Sequence, residues 1–324
     1  MNTNILKLNK KIICVTIGDI QGIGIHLLLK EFKKGKINNF VLLTNIEIFN
    51  NYIKFSKNKI NIINDMSFKN YNKKKLNIYN YTTKNKDTNT MDALKYAFKF
   101  AKRKISIGIL TLPLNKYKIH NSVNKNFIDQ TSFFSNKDDQ KISNMIFYYK
   151  NKFFIPLTIH IEIKKVHNFF KNTTFMVNKI ESLHSSLVND FKVKFPKMIL
   201  SGINPHAGEN NSISKDDKKY LLPIVNKLRK KGILINGPIS GDSVVNSENL
   251  KNYDAFIFTY HDQALIPFKM LSNYEGVNFT SNLDIIRVSP SHGTAENLIG
   301  SNKVISKGIV NCFNLINKIN KNRN

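Results

Sequence analysis

Three histidines stand where a strand-like run gives way to a loop. His160 closes the apolar run 153–159, His206 lies in Asn204-Pro205-His206-Ala207-Gly208-Glu209 after the run 198–203, and His261 follows the run 255–260. In an open α/β sheet, loops at the carboxyl ends of strands line the ligand crevice, so the three rings share one topological position. Three neutral imidazoles that leave room for substrate oxygens or water make an open site for a divalent cation that polarises a carbonyl or alkoxide. One histidine so placed is more often a hydrogen-bonded structural residue, so this reading rests on the trio. His26, His120, His167 and His184 lack the placement and read as ordinary surface or core residues.

A second constellation is Lys269, Asn278 and Arg287, followed by His292-Gly293-Thr294-Ala295. Of 50 basic residues four are arginine, Arg103, Arg229, Arg287 and Arg323, so one placed shortly after His261 suggests bidentate contact with a phosphate or carboxylate. The apolar segment 283–288 around Arg287 argues against a merely solvated role. A third feature, Gly18-Asp19-Ile20-Gln21-Gly22-Ile23-Gly24, sits between a strand and a helix, where backbone amides could receive an anion. Its spacing is not G-x-G-x-x-G, and a tight turn with no ligand is the commoner outcome.

The elements that must position these residues follow an α/β rhythm. Apolar, β-branched runs of strand length at 12–17, 40–44, 105–112, 153–159, 198–203 and 255–259 are followed by polar or glycine-bearing loops. Helical periodicity marks 25–32, 91–104, 218–231 and 308–319. Buried parallel strands joined by helices fit this pattern. The Asn/Lys-rich stretch 50–87 reads as variable surface, and no internal repeat is present.

The 324 residues, 41% of them hydrophobic, are enough to bury one large core or two modest ones, which excludes a disordered or fibrous chain. No apolar run approaches the roughly 18 to 20 residues of a membrane span, and 12–17 is too short for a secretory signal, so the expected location is cytoplasmic. Cys14 and Cys312 are too few for a disulfide framework or a cysteine zinc site. A net charge of +28 raises the possibility of nucleic acid as partner. The excess is lysine, however, alongside 47 asparagines and no tryptophan, as expected when an AT-rich genome pushes exposed positions toward Lys and Asn. Neither a nucleic-acid nor a membrane partner is expected.

Taken together, the motifs resemble the PdxA family of 4-hydroxythreonine-4-phosphate dehydrogenases of pyridoxal phosphate biosynthesis. The ordered set runs through nearly the whole chain: Gly18-Asp19 with Gly22-Ile23-Gly24, Thr111-Leu112-Pro113-Leu114-Asn115-Lys116, Thr158-Ile159-His160, Asn204 to Glu209, Gly237-Pro238, Tyr260-His261-Asp262-Gln263, Gly276-Val277-Asn278 and His292-Gly293-Thr294-Ala295. The resemblance implies an α/β, two-domain isocitrate/isopropylmalate-dehydrogenase-like fold. Placing the domains at 1–130 plus 280–324 and at 131–279 follows from it. It also implies a homodimer with its active site at the subunit interface.

By the same resemblance His160, His206 and His261 match the ligands of one divalent metal, zinc, magnesium or cobalt. Gln130, Thr131, Lys269, Asn278 and Arg287 match positions that hold the phosphorylated substrate, and His292, Gly293, Thr294 and Ala295 match a contact with the adenosine side of NAD or NADP. The implied reaction oxidises the C3 hydroxyl of 4-phosphooxy-L-threonine to a β-keto acid, which loses carbon dioxide to give 3-amino-2-oxopropyl phosphate. Lys269 is a candidate proton donor or phosphate contact, and Asp242 and Asp262 are candidates for holding the ligands or moving a proton.

Two departures mark this chain. Where the family has Gly-His-Thr-Glu, it has Asp129-Gln130-Thr131-Ser132, so an amide that cannot become cationic replaces an imidazole. Where the family has Asp-Pro-Ala-Gly-Ile-Gly-Pro-Glu, it has Asp19-Ile20-Gln21-Gly22-Ile23-Gly24-Ile25-His26. The rival readings are a sister dehydrogenase acting on a threonate or erythronate phosphate, a non-catalytic basic nucleic-acid-binding protein, and an inactive descendant that keeps the fold.

Overall fold

The computed structural model describes residues 11–139, 142–300 and 305–324. Its strands in chain order are β1 (Ile13–Thr16), β2 (Phe40–Leu43), β3 (Ile60–Ile63), β4 (Leu76–Tyr79), β5 (Gly108–Thr111), β6 (Met145–Tyr149), β7 (Lys152–Thr158), β8 (Met198–Ser201), β9 (Ile235–Ile239), β10 (Ala255–Tyr260), β11 (Val277–Thr280) and β12 (Arg287–Pro290). The chain divides into two compact units, Met1–Asp139 with Leu283–Asn322, and Gln140–Asn282. Boundaries at 130/131 and 279/280 would cut the helix Gln130–Lys137 and strand β11, each of which lies whole within one unit.

In the first unit the strand order is β3-β4-β2-β1-β5-β12, with every neighbouring pair parallel. β1, β2, β4 and β5 are buried along their whole length, as expected of parallel strands covered on both faces. The stretch 50–87, expected as variable surface, in fact contributes β3 and β4. Its asparagines hid the signal, because Asn77 in the middle of β4 is 2% exposed yet satisfied on both sides of its amide. Its Oδ1 accepts from Asn72 N and Asn61 Nδ2, and its Nδ2 donates to the carbonyls of Asn72 and Lys75. The helix Lys86–Lys102 then starts from a reciprocal cap between Asn85 and Thr88 and buries Met91, Leu94, Ala97 and Phe100.

In the second unit the order is β11-β6-β7-β10-β8-β9. β7, β10, β8 and β9 run parallel, but β6 is antiparallel to both β7 and β11, unlike the uniformly parallel arrangement that the sequence suggests. The cause is local. Lys150 and Asn151 both take positive φ, 46° and 61°, and make the two-residue turn whose twist suits a hairpin. The core of this unit gathers Met145, Phe147, Phe154, Ile199, Phe256, Phe258 and Phe268, with Phe154 stacked on Phe256 at 5.1 Å between ring centroids.

Candidate active site

His160, His206 and His261 follow the carboxyl ends of three adjacent parallel strands. β10 pairs with β7 on one side, with Tyr260 opposite Thr158, and with β8 on the other, with Ile257 opposite Leu200. The parallel sense therefore delivers all three histidines to one edge of the second unit's sheet, each by a different local device.

His160 leaves β7 in a left-handed conformation, φ 54°, and is exposed. His261 is the first residue of the helix His261–Ser272. Its Nδ1 lies 2.7 Å from Asp262 Oδ1, which orients the ring and leaves Nε2 as the outward nitrogen. The centroids of His160 and His261 are 5.5 Å apart. Two imidazoles bound at a tetrahedral angle to one cation through bonds of about 2.1 Å would set their centroids roughly 5 Å apart, so this pair fits a shared ion.

His206 occupies an unusual turn. His206, Ala207, Gly208, Glu209 and Asn210 all have positive φ, between 42° and 82°. Buried Asp217 holds the start of this turn, accepting from Ile203 N at 2.7 Å and from Asn204 Nδ2 at 3.0 Å. The three imidazoles do not bring one nitrogen each within 4.8 Å of one another, so the donor set is not closed around a common point. Asp242 feels the charge of His206. Chiefly the Ser240 hydroxyl, which donates to Oδ1, holds this exposed carboxyl below its usual range, with a smaller contribution from His206.

Lys269 is exposed two turns beyond His261 on the same helix. Asn278 lies on β11, reached through Gly276, where an added Cβ would stand 2.1 Å from the Phe268 ring. The Oδ1 atom of Asn278 is buried with no hydrogen-bond partner.

The first unit holds a different group. Arg287 opens β12 and is 2% exposed. Thr111 Oγ1 accepts from its Nε at 3.0 Å and Nη2 at 2.7 Å, Thr131 Oγ1 from Nη1 at 3.3 Å, and Gln130 Oε1 from Nη2 at 2.7 Å. Gln130 Nε2 donates onward to Leu112 O at 3.0 Å. Burial pushes the guanidinium pKa down to about 10, with the charge of Asp129 opposing the shift, so it remains a cation at neutral pH. A buried guanidinium set among hydroxyl and amide oxygens is suited to an anion with several oxygens.

His292 to Ala295 lie against the turn after β1, also within this unit. Ile23 N donates to Thr294 O at 2.8 Å, so the first amide of the helix Ile23–Lys33, open to an anion in the sequence reading, is already used by the chain. His292 Nδ1 lies 2.9 Å from Gly293 O, while His292 Nε2 and the neighbouring Ser291 Oγ are buried with no partner. Two orphaned polar atoms beside this loop fit the edge of a hydrogen-bonding ligand such as a nucleotide. Burial also lowers the pKa of His292, which favours its neutral form.

Residues 36–316 match the family described as pyridoxal phosphate biosynthetic protein PdxA. The chain belongs to the PdxA family. It is 35% identical over 209 residues to a 4-hydroxythreonine-4-phosphate dehydrogenase of Aquifex aeolicus, a stretch that is 64% of each chain. A namesake in Bacteroides thetaiotaomicron is 26% identical over 309 residues, 90% of this chain and 84% of that protein. The crystal structure of 4-hydroxythreonine-4-phosphate dehydrogenase from Klebsiella pneumoniae has the same α/β fold, with a TM-score of 0.80 at 25% identity over 96% of this chain and 98% of that one.

One further acidic group in this PdxA-family chain went unnoticed in the sequence. Asp138, Asp139 and Asp284 each bring a carboxylate oxygen within 4.8 Å of the others. Lys102 Nζ already sits 2.5 Å from Asp138 and 2.9 Å from Asp284, and its own pKa is raised chiefly by Asp138. The chain's own ammonium is thus already paired with two of the three carboxylates. Gln263 is a second residue to which the sequence alone gives no part.

Proposed function

We infer that this chain is a metal- and NAD(P)-dependent dehydrogenase that oxidises the C3 hydroxyl of 4-phosphooxy-L-threonine. Loss of carbon dioxide then gives 3-amino-2-oxopropyl phosphate, on the route to pyridoxal 5′-phosphate. The observation that carries the reading is the delivery of His160, His206 and His261 to adjoining ends of three parallel strands, in a chain of the PdxA family. The names of its relatives favour neither the sister-substrate reading nor the nucleic-acid reading. Among the described residues no helix is long and apolar enough to cross a membrane.

His160, His206 and His261 would hold the divalent cation, and Asp262 supports the donor set by fixing the His261 ring. A bound cation supplies Lewis-acid polarisation of the substrate hydroxyl oxygen, and a bound pyridine nucleotide supplies the hydride acceptor. Arg287, with Thr111, Thr131 and Gln130 around it, binds the phosphate as a preformed cationic group. Lys269 contributes a second cation or the proton that the product carbon needs after carbon dioxide leaves. Asp242, held ionised by Ser240, is a candidate for receiving the hydroxyl proton, although its lowered pKa makes it a weak base. His292 to Ala295 receive the adenosine side of the nucleotide. The exposed Ile266 and Met270, one turn apart on the helix that begins at His261, support burial of that helix in a homodimer.

The test is NAD(P)H formation on 4-phosphooxy-L-threonine with added metal, comparing the native chain with His206→Ala. The expected result is joint loss of bound metal and turnover. Unchanged turnover in the variant would contradict the ligand assignment.

A further inference from the structure

Two of the three strand ends that carry the histidines are tied together by one side chain, and a threonine hydroxyl ties in the third. Gln263 stands two residues after His261 in the first turn of its helix. Its Oε1 accepts from Thr259 N at 3.0 Å and from Thr259 Oγ1 at 2.9 Å, and its Nε2 donates to Gly202 O at 3.0 Å. The amide thus spans from the last turn of β10 to the first residue of the loop that leads to His206. Thr259 passes the tie to the third strand, because Thr158 Oγ1 donates to Thr259 O at 2.7 Å, two residues before His160. The backbone makes room for this arrangement. A Cβ added at Gly241 would lie 2.7 Å from Gln263 Nε2, so glycine there lets the amide sit where it bridges.

We propose that Gln263 is a positioning residue for the cation site, setting the spacing of the His206 loop from His261 and His160 without itself touching the ion. This rests on the metal reading given above. The geometry explains why an amide is required at this place. One end must accept from a backbone N–H and a hydroxyl, and the other must donate to a carbonyl. Glutamate would keep the first contact but set a carboxylate against the Gly202 carbonyl. Gly241→Ala perturbs the same amide from the opposite side, with Gln263 left in place.

The experiment titrates metal-free protein with Co²⁺, following visible absorption and competition with a chromophoric chelator, with thermal unfolding of the metal-free forms in parallel. Native chain, His206→Ala, Gln263→Ala, Gln263→Glu and Gly241→Ala are compared. The expected result is Co²⁺ affinity lowered roughly 10- to 100-fold in both Gln263 variants, with an altered absorption envelope and a smaller loss in Gly241→Ala. Native-like affinity and spectrum in folded Gln263→Glu and Gly241→Ala would overturn the proposal, as would variants that lose thermal stability alone. If the native chain binds no Co²⁺ that His206→Ala can abolish, the metal reading falls and the proposal with it. If His206→Ala abolishes binding while the Gln263 variants bind normally, the proposal falls alone.

Discussion

The guanidinium group of the first unit and the imidazole group of the second are built on opposite principles. Arg287 is sunk into the protein, and hydroxyl and amide oxygens from two other segments have already accepted its hydrogens. The imidazoles are exposed or half-buried beyond the strand ends, with the rings of His160 and His261 5.5 Å apart and no common point shared by all three. A buried cation without a ligand needs neutral acceptors at once, or its desolvation would go unanswered. Surface imidazoles stay hydrated and can wait for an ion. On the proposed function, the anion-binding group would therefore be prepared in advance, whereas the cation site would be completed only when it is filled.

That contrast is open to attack, most severely at the rings. His160→Ala and His261→Ala are expected to lower kcat on the order of 10³-fold, because a polarising ion is worth several kcal/mol and each 1.36 kcal/mol is tenfold. The double variant should be little worse than either single one, since the rings act as a unit. Additive losses in steady-state kinetics would show that they do not share an ion.

Arg287→Met should lower kcat/KM about 10²-fold and also lower Tm, since the oxygens of Thr111, Thr131 and Gln130 lose their donor. Arg287→Lys should recover little, because a point charge cannot repeat the fork. A collapse in Tm with turnover preserved would make the group structural.

The pH dependence is a smaller effect and has a definite sign. Arg287, pushed down to about 10, keeps its charge at neutral pH and loses it as pH rises through that value, so KM for the phosphorylated substrate should stay flat to about pH 9 and then climb. Folding stability moves the other way. The unfolded side chain holds its proton to higher pH, so the cost of burying the charge is relieved above about pH 10. Arg287→Met should remove both changes, seen in KM profiles and in denaturant midpoints.

His292 should give the smallest effect. Its pKa is lowered by burial, so the unfolded imidazole takes up a proton first as pH falls below about 6.5, and the native state loses stability across the window down to the lowered value. His292→Gln should flatten that acid limb and raise KM for the nucleotide a few-fold. An unchanged nucleotide KM would detach this loop from the cofactor.

Much of this was legible in the sequence because strand ends announce themselves. β1, β2, β5, β7, β8 and β10 lie within the apolar runs expected to form them, or within a residue of them, and the histidines follow three of those runs. β4 was not legible, since Asn77 looks like surface until the four contacts of its amide are known. β12 escaped as well. Four residues opening on an arginine carry no strand signature, and only the partners from residues 111, 130 and 131 explain why that arginine is buried. The β6–β7 hairpin depends on positive φ at Lys150 and Asn151, and lysine gives no hint of it. The part played by Gln263 was invisible for a different reason, because a bridging amide is defined by its three partners and not by its neighbours in the chain.

Six of the 17 non-glycine residues with positive φ among the described residues are asparagine: Asn39, Asn151, Asn210, Asn211, Asn273 and Asn282. Asparagine enters that backbone region more readily than most side chains. Drift toward asparagine codons would therefore supply a workable stand-in at reversals of chain direction, such as Asn273, whose backbone amide closes the end of the helix bearing His261 and Lys269. Nucleotide bias that would erode a protein reliant on glycine hinges can pass through this one with its bends intact.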